Sequence, residues 1–216
     1  EFNINIYTTP TANPVEDLFE CDDDNDGVLS FDFVESQNQV FDEQDPTAFS
    51  VSYHLSQEDA DANDNALAIP YFNTNTTEQI FVRIENNDNT SCFDTTSFNL
   101  NVFDTPVANT VQTYEVCDDL NDGDDANGQT EIVLTDFNTE VLNGQDADLF
   151  NISYHLSQQD ADSNTNAIVS PYYNNGNPFS YQVFVRIENS LKVECYSTTE
   201  FNINIYTTPT ANPVED

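Results

Sequence analysis

Seventeen residues occur twice in this chain. Glu1–Asp17 reads EFNINIYTTPTANPVED, and Glu200–Asp216 reads the same. A looser repeat lies inside that period. YHLSQEDADANDNA (Tyr53–Ala66) returns as YHLSQQDADSNTNA (Tyr154–Ala167), FVRIEN (Phe81–Asn86) returns at Phe184–Asn189, and FNLNVF (Phe98–Phe103) matches both FNINIY segments. Self-similarity at this spacing means a tandem array of like units, not one irregular domain. Because FNINIY closes a unit in its later copy, residues 1–10 read as the last strand of a preceding repeat. Residues 11–106 and 107–209 then form two repeats, and 210–216 begin the next linker. The parent is expected to be a longer array whose neighbouring repeats are this chain's first partners, with other copies in a filament as further ones.

Within a unit the hydrophobic pattern has period two. Ile80, Val82 and Ile84 alternate with Phe81, Arg83 and Glu85, and Val51, Tyr53 and Leu55 alternate with Ser52 and His54. The second unit repeats this at Ile152, Tyr154, Leu156 and at Val183, Val185, Ile187. Such alternation marks half-buried strands, and the Asn, Asp, Thr, Pro and Gly between them supply turns. Helical periodicity is confined to Phe33–Phe41 and to a short turn that Ser56 caps over Asp59. The expected fold is all-β: tandem immunoglobulin-like β-sandwich modules, each with one disulfide. TTPTANPVED and DTPVANTVQT read as proline-stiffened linkers.

The chain carries 40 Asp+Glu against 3 Lys+Arg, a formal charge of −37. Nucleic acid is thereby excluded as a partner, since phosphate binding needs clustered Lys and Arg. An anionic membrane surface is disfavoured on the same ground, and no apolar run approaches the length of a span, so direct membrane insertion is not expected. With 38% hydrophobic and 12% aromatic residues, the chain still has enough apolar material for cores. Self-repulsion of this size destabilises a compact chain at low salt, so stability should depend on salt or divalent ions.

The four cysteines, Cys21, Cys92, Cys117 and Cys195, are widely spaced and form no CxxC motif. An even number at wide spacing points to two disulfides and an oxidising, extracellular setting, with four buried thiols as the alternative. The repeat gives each unit one pair, Cys21 with Cys92 and Cys117 with Cys195. Other connectivities stay open.

The sharpest local motif is Cys21-Asp-Asp-Asp-Asn-Asp-Gly27. Asp22, Asp24 and Asp26 alternate before a glycine, the pattern by which a tight turn offers oxygens to a hard cation such as Ca2+. The twelfth position from Asp22 is Phe33 and not Glu, so the loop is no EF-hand. The second unit has a longer version in which Asp118, Asp122, Asp125 and Asn127 are the corresponding metal candidates. A solvated acidic turn held by Asx hydrogen bonds is the competing reading. The ladder Asp59, Asp61, Asn63, Asn65 and its copy at Asp160, Asp162, Asn164, Asn166 read first as polar turns or capped helix starts, with cation binding as the lesser reading. His54 and His155 read as surface histidines, and Arg83 and Arg186 as partners in structural ion pairs, with binding of a glycan or carboxylate ligand as the lesser reading. No GxSxG, HExxH or phosphate-cradling glycine loop is present, so an enzyme is not expected. Asn75, Asn89 and Asn151 fit N-glycan acceptor patterns.

The order CDDDNDG, YHLSQEDADA, IFVRIEN, then Cys92 and TTSFNLNVFDTP resembles the tandem repeats of giant surface proteins of flavobacteria. The resemblance implies immunoglobulin-like modules of a cell-surface stalk or filament, exported by type IX secretion and serving adhesion or gliding. It also gives Asp94-Thr95-Thr96 a likeness to the Bacteroidota O-glycosylation signal, with the sugar on Thr95. The resulting expectation is a structural spacer repeat of a long extracellular adhesin or filament, stiffened by calcium. A calcium-dependent carbohydrate-binding or adhesive module is the alternative, its ligand unspecified.

Overall fold

The computed structural model describes residues 2–176 and 178–209. The chain divides after Asp104 into two compact units. Each is an immunoglobulin-like β domain.

In the first unit, β1 (Leu18–Asp22) leads to the short β2 (Ser30–Phe31), helix α1 (Val34–Phe41), β3 (Phe49–His54), helix α2 (Gln57–Ala62), the short β4 (Tyr71–Phe72), and the long β5 (Thr77–Asn86) and β6 (Asn89–Asp104). The main sheet has the order β1-β6-β5-β3, and β2 pairs with β4 in a second, two-stranded sheet. β5 and β6 form an antiparallel hairpin, whereas β1 runs parallel to β6 with Leu18 opposite Leu100 and Cys21 opposite Phe103.

The alternation expected of β5 sets its faces. Ile80, Val82 and Ile84 are fully buried and pack with Phe33, Tyr53, Phe98, Leu100 and Val40. Burying these branched and aromatic side chains contributes about 1.5–3 kcal/mol apiece. Phe33 lies at the centre, 4.7 Å from the Tyr53 ring and edge-on to Phe98. It takes φ 54°, a left-handed conformation uncommon outside glycine, and from it the chain enters α1.

The opposite face of β3 and β5 is covered as well, and this corrects the histidine expectation. His54 is fully buried, not on the surface. Period-two reasoning assigns it to a solvent face, but α2 lies over that face. The imidazole Nδ1–H donates to the Asp64 carbonyl at 2.7 Å, and Nε2 meets the Ser52 hydroxyl at 2.9 Å. α2 itself is capped as read from sequence: the Ser56 hydroxyl accepts from the Asp59 amide, and Asn63 closes the helix in the left-handed region.

The second unit repeats this plan. β7 (Tyr114–Cys117), β8 (Glu131–Ile132), a 3-10 turn (Leu134–Phe137), α3 (Asn138–Leu142), β9 (Phe150–His155), α4 (Gln158–Ser163), β10 (Tyr172–Tyr173), β11 (Ser180–Asn189) and β12 (Tyr196–Tyr206) follow in order. The main sheet is β7-β12-β11-β9, with β7 again parallel to β12. His155 is buried like His54.

Two further expectations meet the structure here. The segments read as linkers are fastened to their own units. The Ala12 amide donates to Asp94, Asn13 donates to the Val40 carbonyl, and Val15 packs on the core. Their counterparts Ala108, Asn109 and Val111 do the same in the second unit. The two copies of FNINIY also differ. Phe201, Ile203 and Ile205 are buried in β12, whereas residues 2–7 form no strand and Phe2, Ile4 and Ile6 are exposed. The linker expected at 210–216 lies outside the described residues.

Candidate functional sites: the cysteines and the acidic turns

The first unit's cysteines stand on paired strands, at opposite ends of one ladder. Cys21 lies opposite Phe103 in the β1–β6 register, and Cys92 is near the other end of β6. Eleven residues separate Phe103 from Cys92 along an extended strand (103 − 92). At about 3.3 Å per residue that is roughly 36 Å, whereas a disulfide needs Cα atoms about 4.4–6.8 Å apart. In the second unit Cys117 faces Tyr206, again eleven residues beyond Cys195 (206 − 195). The expected pairs Cys21–Cys92 and Cys117–Cys195 therefore do not form. Cys21 and Cys195 are disulfide-bonded, whereas Cys92 and Cys117 are free thiols. Sequence spacing gave each unit one pair but hid that its members sit at opposite ends.

The first acidic turn is organised by Asp22, the last residue of β1. Its carboxylate is buried and accepts the backbone N–H groups of Gly27 (2.6 Å), Asn25 (3.1 Å) and Asp24 (3.2 Å). Burial pushes the Asp22 carboxyl up, but these donors outweigh it and hold it below the ordinary carboxylate value. Gly27 has φ 79°, which a glycine adopts without strain. Asn73 holds the far side of the turn, donating to the Gly27 carbonyl at 2.7 Å and accepting from the Leu29 amide at 2.6 Å. Sequence reasoning missed Asn73; its only signal was recurrence as Asn174. Oxygens of Asp22, Asp24 and Asp26 lie within 4.8 Å of one another. Asp24 is pushed above the usual range by its hydrogen bond to Asp22 and the charge of Asp26.

The second turn uses the same scaffold with different contents. Asp118 accepts from Gly128 and Asp119, and Asn174 bonds Gly128 and Thr130. The remaining candidates are dispersed. Asp122 accepts from the Tyr173 hydroxyl at 2.6 Å and from Asn127 Nδ2 at 2.6 Å, which lowers its pKa to about 2. The Asn127 carbonyl oxygen is used by the Gln129 amide, and Asp125 accepts from Thr208 through its backbone. Among the described residues, only the first turn gathers three carboxylates.

The remaining candidates are occupied within the fold. Arg83 Nε meets Glu85 at 2.7 Å, its Nη1 donates to the Ala60 and Asp61 carbonyls, its Nη2 donates to the Thr90 carbonyl, and Phe93 lies beneath the guanidinium. Arg186 repeats this with Glu188 and Tyr196. Thr95 is half-buried on β6, and its hydroxyl accepts from Gln57. Thr198 makes the same bond to Gln158 without a preceding aspartate. Asp94 in turn holds the Ala12 amide, a task Ser197 performs for Ala108. The residues that suggested a glycosylation signal thus have structural duties of their own.

A family model described as the Flavobacterium inter-domain disulphide bond domain matches this chain twice, over residues 17–106 and 113–209. The chain belongs to this family. Its members' description agrees with cysteines that cannot pair inside a unit. No curated protein matches the chain. Among solved structures, it is similar to a three-domain titin fragment, I67–I69 in an E-to-A variant, at 10% identity and TM-score 0.30, covering 74% of this chain and 55% of that one. It is also similar to protocadherin gamma B2 extracellular cadherin domains 1–5, at 10% identity and TM-score 0.23, covering 92% and 40%. The human Desmocollin-1 ectodomain matches at 13% identity and TM-score 0.23, covering 93% and 42%. The chain spans about half the length of these structures or less.

Proposed function

We propose that these units are structural spacer repeats of a long extracellular surface adhesin or filament, linked from unit to unit by disulfides. The observation that carries this reading is the placement of each unit's two cysteines at opposite ends of its β ladder. One cysteine of each unit is then available to each neighbour. Cys21 and Cys195, both disulfide-bonded, fit an early-with-late rule across successive units. By the same rule Cys117 pairs with the late cysteine of a following unit, and Cys92 with the early cysteine of a preceding one. A chain bonded in this way resists extension at every joint, which suits a stalk outside the cell, where disulfides persist.

Calcium is a secondary element of the proposal and belongs to the first unit. Asp22, Asp24 and Asp26 supply hard oxygen ligands, and a cation there relieves their mutual repulsion. The second turn does not fit, because Asp122 is engaged by Tyr173 and Asn127. A carbohydrate-binding role finds less support, since both arginines have their donors engaged internally.

The test is a non-reducing peptide map of a secreted three-repeat chain. The proposal expects Cys21–Cys195 and a bond from Cys117 to the third unit's late cysteine. A Cys21–Cys92 peptide overturns it. Protease shaving of intact producing cells tests location, and full protection of the repeats refutes an extracellular stalk.

A further inference from the structure

One cleft distinguishes the first unit from the second. In the first unit a cavity of ≈ 470 Å³ opens between β1, β2 and the start of α1, lined by Leu18, Glu20, Phe31, Asp32, Glu35 and Ser36 among others. Small-molecule sites commonly occupy about 300–1,000 Å³. The equivalent place in the second unit holds only ≈ 120 Å³. Aligning Cys21 with Cys117 and Tyr53 with Tyr154 gives the reason. Leu18 corresponds to Tyr114 and Ser36 to Phe137, whose rings pack edge-to-face at 5.2 Å and fill the space. The first unit lacks both rings. Two further replacements add charge: Glu20 and Asp32 stand where the second unit has Val116 and Val133.

The floor carries a second mark. Ser36 is fully buried, and its hydroxyl has no hydrogen-bond partner among the described residues. An orphaned buried hydroxyl carries an uncompensated loss of hydration, and a ligand group reaching the floor relieves it.

We propose that this cleft binds a small aromatic ammonium ion. Its ring takes the volume that Tyr114 and Phe137 fill in the second unit, against Phe31 in the cavity lining. Its ammonium group lies among Glu20, Asp32 and Glu35, where it is matched in charge and stays in water. A hydroxyl or amino group on the ring meets Ser36. Neutral aromatics lack the ammonium contact, and inorganic cations lack the ring contact.

The test is a titration of the whole two-unit chain with tyramine, followed by amide chemical-shift mapping, with 4-ethylphenol and sodium ion as controls. Saturable shifts confined to residues 18–20 and 31–36 are expected, with 4-ethylphenol at least about tenfold weaker, a factor equivalent to about 1.4 kcal/mol. L18Y/S36F installs the residues the second unit carries and should abolish the shifts while the first unit still melts cooperatively. D32V leaves the cleft open and should weaken tyramine about fivefold without affecting 4-ethylphenol, because the ion pair is partly solvated. The proposal is overturned by shifts spread over the acidic turns of both units, by equal affinity for the neutral phenol, or by binding that survives L18Y/S36F. If that double variant does not fold, an unchanged tyramine affinity in D32V and E20V overturns the proposal instead.

Discussion

Arg83→Ala provides a direct test of whether the arginines are structural or ligand-binding. The guanidinium donates to three carbonyls and one carboxylate inside its own unit, with its residue only 3% exposed. Truncation leaves Glu85 without its partner and strands the carbonyls of Ala60, Asp61 and Thr90. Breaking a buried pair from one side costs about 3–5 kcal/mol, a large part of the roughly 5–15 kcal/mol that holds a domain folded. For a domain of this size each kcal/mol lowers Tm by about 4–8 °C, so the first unit should melt at least about 12 °C lower. Differential scanning calorimetry reads this with the second unit as internal reference, and Arg186→Ala should move the other transition. Arg83→Lys keeps the charge but not the planar fork, and should lose more than half as much. A fall below about 4 °C for Arg83→Ala corresponds to the worth of a solvated surface pair. That result would refute the structural assignment and return the arginine to the ligand-binding reading.

Other outcomes follow from the differences between the units. Glu78 accepts from Tyr71, Thr74 and Asn75; burial raises its pKa, but these bonds prevail and hold it below its ordinary value. A depressed carboxyl stabilises the fold above the unfolded pKa and loses that contribution as pH falls through the folded one. The first unit should therefore lose stability below about pH 4.5, the range of an ordinary Glu, and E78Q should flatten that dependence in acid melts. At the matching position the second unit has Tyr181, whose buried hydroxyl is unpartnered among the described residues, so Y181F should leave Tm unchanged or raise it. Terbium luminescence should report one cation site per chain and lose it in D24N/D26N; two equivalent sites would contradict the dispersed second turn. With 40 acids against 3 basic residues, both transitions should rise between 10 and about 150 mM NaCl, where the Debye length contracts to about 8 Å.

The period-two runs identified β3, β5 and β6, and Ser56 identified a helix cap, because alternation and capping are written within a few residues. Burial of His54 was not written there, since it depends on α2 folding over a face that alternation assigns to water. The cysteines failed for a related reason. Counting them per unit assumes that residues of one unit are near one another, but an eleven-residue run of extended strand lies between the ends of the ladder. Strand register, not sequence distance, excludes the pairing within a unit. Glu20, Asp32 and Ser36 were legible only as ordinary polar residues until the aligned unit showed that they replace Val116, Val133 and Phe137. The identical FNINIY segments make the limit plain. In β12 three apolar side chains are buried because β11 supplies a partner strand and β7 lies alongside, whereas residues 2–7 have neither among the described residues and expose the same side chains. A pattern of alternation states a capacity to form a strand, and only a neighbouring ladder with open N–H and C=O groups turns that capacity into structure.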